Sequence, residues 1–572
     1  MKDTLPRQQQ TDQAVPPPET NEAPHTSGES AVRNGMTRRS FIGTIGVGAT
    51  LASVGTSLIS LTEPAEAATA APTLARKRRT AARKCRTSAA QMAYARGVVL
   101  PSPNNEEVDY PYVANFSKGL PHNNLAEVDP TAYAAMLKAL STGAASDFEA
   151  IPLGGTAKLR NPQSGLAFDL EGPDSHATSM RAAPRIDSPE NSGEMAELYW
   201  MALARDISFT DYGGKSIIDA ACADLSAKSD FRGPKLSGTV TPTTLFRGPT
   251  PLELYGPYVS QFMLKDIPYG SLTVSQRQWT LAPSINYMTD YDPWLHVENG
   301  LGATQQQVLD PTPRYIRNGR DLSGYVLVDM LYQAYLNACL ILIGMKAPLD
   351  PGNPYTKYTK TDAFGTFGDP HIITLVTEVS TRALKAVWYH KWYVHRRLRP
   401  EEFGGRVHNH VTGQATYPID SEILSSPVLD EIFNRYGSYL LPQAFSSGCP
   451  LHTSYGSGHA TVAGACVTIL KAWFDESFVI PNPVIPNIDG TALVPYVGFD
   501  SGMITVGGEL NKVASNIASG RNFAGIHWRT DFTEGLKLGE EIAIGILQEQ
   551  KATYNEDSSF TLTKFDGTTI TI

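Results

Sequence analysis

Apolar side chains at helical spacing run through the second half of the chain and limit its fold more than any other feature. Between residues 372 and 391 they recur near an i, i+3, i+4 pattern, beginning with Leu375 and Val379. The segment from Leu322 to Lys346 is nearly all apolar or small and predicts one buried helix. Period-2 alternation is scarce outside residues 561–572. We therefore predict a mainly α fold of helical bundles, two four-helix-bundle-like units, with long loops and little β-structure.

Further helices are predicted from the same kind of pattern. They are expected over residues 130–141, 192–206, 421–435, 460–475, 507–519 and 530–550. Asp129 and Pro130 stand at the start of the first one in the usual N-cap and N1 arrangement. Residues 231–284 are rich in Pro, Gly and Thr, which predicts a long ordered excursion over the surface rather than core.

Bulk composition excludes several classes of protein. At 572 residues and 41% hydrophobic content, the chain is long enough for a large core and several structural units. The net charge of −9 and the absence of a long basic tract in the body argue against nucleic-acid binding. The five cysteines are far apart and form no CxxC pair, so the sequence indicates neither a zinc site nor a disulfide framework.

Residues 1–67 are predicted to be a disordered leader followed by a signal peptide. The twin-arginine pair Arg38-Arg39, the moderately apolar run over residues 43–61 and a small-residue site ending at Ala67 are typical of bacterial twin-arginine export. The alternatives are a chance Arg pair in a disordered tail and a membrane anchor, and the Gly, Ser and Thr content of that run disfavours the anchor. We therefore expect a periplasmic or extracellular protein without a stable membrane anchor.

Residues suited to catalysis concentrate in the last third, where eight of the twelve histidines lie at or after His371. The central stretch is Ser457-Gly458-His459, just before a long apolar run. A hydroxyl, a closely approachable backbone and an imidazole at the start of a helix are typical of an oxyanion site. We therefore assign residues 351–572 to a C-terminal catalytic helical bundle. Residues 68–350 would form an N-terminal helical, loop-rich scaffold.

Cations lie on either side of this stretch. Upstream, Lys391 and Arg399 are eight residues apart, a little over two helical turns, so both are expected to face one pocket at the end of a helix that Pro400 terminates. Taken alone, that segment also fits a solvated basic helix end. Downstream, Arg521 is expected to leave a helix and His527 to precede the next one.

The helix after His527 has Thr530 or Asp531 as its natural N-cap. Three fixed cations, a Ser hydroxyl and a Gly amide match the equatorial oxygens of a tetrahedral or trigonal-bipyramidal oxyanion. Two histidines would then serve as an apical ligand or nucleophile and as an opposed acid/base.

In this order the three stretches resemble the Lys…Arg-Pro, Ser-Gly-His, Arg…His signature that vanadium-dependent haloperoxidases share with related acid phosphatases. The eight-residue Lys–Arg spacing, the insert at residues 394–396 and His452 ahead of Ser-Gly-His look most like the algal and cyanobacterial bromoperoxidase branch. The resemblance continues upstream and covers most of residues 110–550.

The resemblance implies a role for each matching residue. The residues that would hold vanadate oxygens are Lys391, Arg399, Ser457, Gly458 and Arg521. His527 would bond vanadium, and His459 would be the acid/base at the apical oxygen. Lys391 would also polarise bound peroxide, with His452 near the halide and the peroxide. His390 is a further candidate for the pocket.

By the same resemblance, the enzyme would oxidise bromide or iodide with hydrogen peroxide to hypohalous acid, which halogenates a small organic acceptor. It would be a homo-oligomer, a dimer or larger, with residues 68–350 as its oligomerisation half. A structural Ca²⁺ near Asp362 and Asp369 is also implied for some members.

Two alternatives stay open. One is an acid phosphatase of the same superfamily with His527 as nucleophile and His459 as leaving-group acid. The long N-terminal half and the Lys–Arg spacing favour the haloperoxidase. The other is a non-catalytic exported assembly protein, which would be favoured if a cation or histidine of the set were missing.

Overall fold

Helices dominate residues 65–572, the part of the chain that the computed structural model describes. The α-helices in that range are α1 (Ala65–Ala95), α2 (Glu106–Asp109), α3 (Pro130–Thr142), α4 (Ala145–Glu149), α5 (Pro189–Ala204), α6 (Ser216–Ala227), α7 (Tyr291–Glu298), α8 (Gly319–Val328), α9 (Gln333–Gly344), α10 (Asp369–Tyr389), α11 (Pro400–Val411), α12 (Ser421–Leu424), α13 (Pro427–Tyr436), α14 (Gly458–Trp473), α15 (Val506–Phe523) and α16 (Arg529–Lys551). The twin-arginine pair Arg38-Arg39 lies outside the described residues.

Short strands pair only as small antiparallel hairpins among these residues. The pairs are β1 (Ile267–Tyr269) with β2 (Leu272–Val274), β3 (Val484–Pro486) with β4 (Leu493–Pro495), and β5 (Thr561–Thr563) with β6 (Thr569–Thr571). The prediction of a mainly α fold with little β-structure is therefore confirmed, including the short strands at the C-terminal end.

Six predicted helices are confirmed with somewhat different ends, namely α3, α5, α10, α14, α15 and α16. Asp129 caps α3 as expected, because its carboxylate accepts a hydrogen bond from the Ala132 N–H at 2.8 Å. The predicted helix over 421–435 is instead two helices, α12 and α13. Ser426 separates them, since its hydroxyl accepts from the Val428 N–H and Pro427 opens the second helix.

The prediction of a single buried helix over residues 322–346 is wrong. Helix α8 ends at Val328, Asp329 is extended with φ −61° and ψ 146°, and α9 leaves at a bend of 101°. The Gln333 side chain accepts a hydrogen bond from the Met330 N–H at 3.2 Å, which fixes the connection between the two helices. Among the described residues no single helix is long and apolar enough to cross a membrane, although α8 and α9 taken together have that length and composition.

The helix after α10 also differs from the prediction. The chain passes from α10 into a π-helical turn, His390–His395, and then into the left-handed region at Arg396, with φ 41°. Pro400 does not end this helix. It stands at the first position of α11, where its missing N–H is not needed for helical hydrogen bonding.

Residues 231–284 were predicted to stay out of the core, and this prediction is wrong in part. The segment is mostly irregular, but Phe246 and Phe262 are fully buried in the main core. The Phe246 ring lies edge-on to Phe523 of α15, with 5.5 Å between ring centroids. Large apolar side chains are enough to bring an irregular segment into a core, even where Pro and Gly prevent a helix.

Helix α14 is central to the part of the fold that positions the site, packed by α10, α15 and α16. Its contact with α16 depends on two glycines. A Cβ on Gly539 would lie 2.0 Å from the Thr461 carbonyl oxygen, and one on Gly464 would lie 2.2 Å from the Leu536 carbonyl oxygen. The main core of the compact unit Arg76–Ile572 draws residues from both predicted halves. The boundary at residue 350 stays a prediction.

Candidate active site

The N-terminus of α14 forms the floor of the candidate site. Ser457 is its N-cap, with its Oγ accepting a hydrogen bond from the Ala460 N–H at 3.3 Å, so the hydroxyl proton remains available to another acceptor. The Gly458 and His459 N–H groups precede the first intrahelical hydrogen bond and have no acceptor within the helix. The helix dipole adds partial positive charge at this end. The predicted helix start at this motif is confirmed.

Lys391 reaches this floor from the π-helical turn. Its Nζ donates to the carbonyl oxygens of Thr453 at 2.8 Å and Ser454 at 2.7 Å, and the side chain is fully buried. The ammonium also lies over the Trp388 ring, 5.7 Å from its centroid. These contacts hold the cation by dipoles and a ring face rather than by a carboxylate.

Arg399 lies between two histidines. Its Nη1 is 3.1 Å from His527 Nε2 and its Nη2 is 2.9 Å from His452 Nδ1. The guanidinium also donates to two carbonyl oxygens: Nε to that of His452 at 2.9 Å, and Nη1 to that of Ile526 at 3.0 Å. Lys391 and Arg399 therefore meet in one place as predicted, although a wide turn and not a regular helix brings them there.

Arg521 completes the group of cations. It lies in the last turn of α15 rather than after it, because the helix extends to Phe523. Its Nη1 donates to the Val326 carbonyl oxygen at 2.9 Å. Its Nε is buried and has no hydrogen-bond partner among the residues that the structure describes. A buried donor of this kind is suited to an anion that enters from outside the chain.

The electrostatics of the site point the same way. Burial and the neighbouring Arg399 and Arg521 hold the pKa of Lys391 well below its ordinary value. Burial, with Arg399 beside it, lowers the pKa of Arg521 to about 10. Burial and the same three cations keep the pKa of His527 far below that of a free imidazole. The three cations repel one another, and an anion with several oxygens bound between them would relieve that repulsion.

Asp531 fixes the orientation of His527. The predicted N-cap at Thr530 or Asp531 is wrong, because Trp528 is the N-cap of α16 and both residues lie inside the helix. Asp531 stands at the third helical position and accepts from the Trp528 N–H at 3.1 Å. Its Oδ2 also lies 2.8 Å from His527 Nδ1. A carboxylate only accepts hydrogen bonds, so Nδ1 carries the proton. The lone pair of Nε2 therefore faces Arg399 and the cation group.

One residue of the site was missed by sequence reasoning. Asp329, at the bend between α8 and α9, places its Oδ1 3.0 Å from His459 Nε2. Its carboxylate also partly offsets the charge of Arg521. The available signal was a single acidic residue inside an otherwise apolar run, which the prediction of one continuous helix passed over.

His452 and His390 have different surroundings. The His452 ring packs on Trp388, with 4.7 Å between centroids, and burial and Arg399 lower its pKa far below the usual range. His390 instead places Nε2 3.0 Å from Thr178 Oγ1, stacks on His395 and contacts none of the cation group. The candidate residue His390 is therefore the one that the structure does not bring to the site.

Comparison with known proteins identifies the family. A vanadium-dependent bromoperoxidase from Corallina officinalis is 39% identical over 579 residues, covering 85% of this chain and 96% of the relative. One from Ascophyllum nodosum is 36% identical over 494 residues, covering 82% and 87%. The chain belongs to the vanadium-dependent haloperoxidases. Residues 372–556 of this haloperoxidase also match the family described as the VCPO second helical-bundle domain.

A solved structure resembles this haloperoxidase along most of its length. It is the homohexameric second vanadate-dependent bromoperoxidase from Ascophyllum nodosum, with a TM-score of 0.83 and 30% identity, covering 94% of this chain and 96% of the other. Among residues 65–572 no group of three or more His, Cys, Asp or Glu side chains is placed to hold a metal ion. Asp362 and Asp369 are both exposed, so the calcium site gains no support and stays a prediction.

Proposed function

We propose that this chain is a vanadate-dependent haloperoxidase that oxidises bromide or iodide with hydrogen peroxide to hypohalous acid. The observation that carries the proposal is the buried cation group of Lys391, Arg399 and Arg521, which faces the lone pair of His527 Nε2. The named relatives support the same reaction. They give the acid phosphatase alternative no comparable support.

The residues present fit vanadate. The charge of a vanadate ion is matched by Lys391, Arg399 and the unpartnered Nε of Arg521. The Ser457 hydroxyl and the free N–H of Gly458 are further donors at the α14 N-terminus. The list of residues that would hold its oxygens is therefore Lys391, Arg399, Ser457, Gly458 and Arg521, with Nε2 of His527 as the ligand to vanadium.

When bound, vanadate supplies Lewis acidity that activates hydrogen peroxide without a change in the oxidation state of the metal. His459 accepts the proton that hydrogen peroxide gives up, and Asp329 orients the ring. Lys391, held by the Thr453 and Ser454 carbonyl oxygens, would draw electron density from the peroxide oxygen that the halide attacks. The buried His452 and the half-buried Trp388, whose rings pack together, would border the halide.

Four further parts of the proposal concern the oligomeric state, the export route, structural Ca²⁺ and the organic acceptor. We infer a homo-oligomer, which the hexameric relative supports, and a monomer in sedimentation analysis would contradict it. We infer export by the twin-arginine route, which fails if the chain stays in the cytoplasmic fraction. Structural Ca²⁺ and a small organic acceptor of the hypohalous acid remain parts of the proposal. A metal analysis that finds no calcium in the purified protein would contradict the structural Ca²⁺.

Reconstitution tests the proposed reaction directly. Purified protein loaded with orthovanadate should brominate a cyclic diketone dye only when bromide and hydrogen peroxide are both present. The opposite pattern would identify a phosphatase: no bromination with vanadate, together with efficient hydrolysis of p-nitrophenyl phosphate without it.

Replacement of His527 tests the ligand assignment. His527→Ala should lower vanadate affinity by more than about 100-fold, since removal of a direct ligand exceeds the effect of removing its outer partners. Equilibrium dialysis with vanadate gives the affinity. His390→Ala is the matched control, because it removes a buried histidine that does not contact the cation group. An unchanged affinity in His527→Ala would show that another residue is the ligand.

A further inference from the structure

Among the histidines and cations of the site, His459 has the most exposed side chain. The Lys391, Arg399 and His527 side chains are buried, whereas the His459 side chain is 22% exposed. The structure places the bend between α8 and α9 beside His459, because Asp329 contacts His459 Nε2. A small product that leaves the cation group along His459 therefore passes the residues of this bend.

Met330 stands at the bend, next to Asp329. Its backbone is fixed, because its N–H donates to Gln333 Oε1 at 3.2 Å and its carbonyl accepts from the Gln333 N–H at 2.8 Å. The residue as a whole is 67% exposed. Consecutive Cα atoms are 3.8 Å apart, so the Met330 Cα lies within roughly 10 Å of His459 Nε2. An exposed methionine on a fixed backbone therefore stands one residue from the carboxylate that contacts His459.

We propose that Met330 is a modification site, whose thioether is oxidised to the sulfoxide by hypohalous acid as the acid leaves the pocket. This inference rests on the proposed function, which supplies the oxidant. The sulfur attacks the halogen and releases hydroxide. Water then displaces halide from sulfur, and one of its two protons neutralises that hydroxide. The net reaction converts one thioether and one hypohalous acid into one sulfoxide, one halide ion and one proton. Sulfur loses two electrons and the halogen gains two.

The chain contains its own controls. Of the methionines whose side chains the structure describes, Met92 and Met503 are the others that are largely exposed, at 48% and 44%. Met92 lies on α1 and Met503 lies close before α15, and neither adjoins a residue that contacts the cation group. Oxidant already mixed into the solvent should reach all three according to exposure. Oxidant released at His459 should reach Met330 first.

The experiment compares these three methionines during turnover. Vanadate-loaded protein is given bromide and a limiting amount of hydrogen peroxide, and peptide mass spectrometry measures the fraction of each methionine that has gained one oxygen. An excess of free methionine in solution captures hypobromous acid that has escaped. Parallel samples receive peroxide without bromide, or hypobromous acid added from outside, and Met330→Leu confirms the peptide assignment.

With free methionine present, turnover should oxidise Met330 at least about ten-fold more than Met92 or Met503. Hypobromous acid added from outside should remove that preference. Equal oxidation of the three during turnover, or an unchanged Met330 while a dye is brominated, would overturn the inference and leave the proposed function intact. Absence of dye bromination would overturn the proposed function, and the inference with it.

Discussion

Arg397 and Arg399 are two residues apart, both are fully buried, and their surroundings are opposite in character. Arg397 donates to Glu194 at 2.7 Å and to Asp531 at 3.0 Å, and these carboxylates hold the pKa of its guanidinium above the ordinary value despite burial. Arg399 meets carbonyl oxygens and imidazole nitrogens instead, and burial lowers its pKa.

The same contrast extends to the neighbours of each arginine. Arg529 forms a buried ion pair with Glu197, and the pKa of its guanidinium is raised like that of Arg397. Lys391 and Arg521 in the pocket share the depressed pKa of Arg399. The paired cations stabilise the fold, whereas the unpaired ones lower the stability of the protein alone and create affinity for an anion.

The largest expected effect is a loss of stability when Arg397, the arginine paired with carboxylates, is replaced. Arg397→Leu should lower the free energy of unfolding by about 3–5 kcal/mol, because it leaves Glu194 and Asp531 buried without their cation. Urea unfolding of the protein without vanadate measures this value. A loss below about 1 kcal/mol would show that this network is not needed for stability, and the contrast would fail.

The matched substitution of Arg399, which has no carboxylate partner, should lower the affinity for vanadate instead. Arg399→Leu should lower vanadate affinity by about 100-fold, or about 2.7 kcal/mol. It should cost at most about 1–2 kcal/mol of stability without vanadate, because only carbonyl and imidazole acceptors lose a donor. Equilibrium dialysis and urea unfolding on the same preparation separate the two effects. A stability loss as large as that of Arg397→Leu would contradict the distinction between the regions.

The smallest expected effect is a pH dependence. Lys391 releases its proton at a lower pH in the folded chain than in the unfolded chain, where its pKa is near the ordinary 10.5. Between those two values the unfolded chain binds more protons, so the free energy of unfolding rises with pH. The slope from one residue is at most about 1.4 kcal/mol per pH unit.

Lys391→Met provides the comparison for that slope. Urea unfolding without vanadate, at two pH values inside the window, should show a smaller rise in the variant than in the parent. Vanadate should flatten the parent's slope as well, because an anion restores the charged form of Lys391. Identical slopes in parent and variant would mean that Lys391 keeps an ordinary pKa.

Sequence periodicity predicted the helices that a core requires but not the places where helices break. The starts of α3 and α14 follow from Asp129 and Ser457, whose side chains cap their own helices. At the break, Gln333 makes a local hydrogen bond with the Met330 N–H, and Asp329 contacts His459, 130 residues away. The distant contact has no local sequence signature. Apolar residues on both sides of the break made one helix the simpler expectation.

The sequence predicts which residues form the site, but not the backbone path that brings them together. The spacing of Lys391 and Arg399 suggested a common pocket, but a regular helix was the wrong way to reach it. The π-helical turn and the left-handed Arg396 have no sequence signature as clear as a capping residue or a glycine. The position of His390 next to Lys391 suggests a place in the pocket, yet in the wide turn its side chain contacts Thr178 instead.

Asp531 has a consequence for anyone redesigning this enzyme. Its one carboxylate contacts Arg397 with Oδ1 and both His527 and Ser454 with Oδ2. A library that varies this position would mix folding defects with altered chemistry in every clone, and an activity screen would not separate them. Arg521, Trp388 and Met330 offer cleaner starting points, because none of them bonds to that carboxylate.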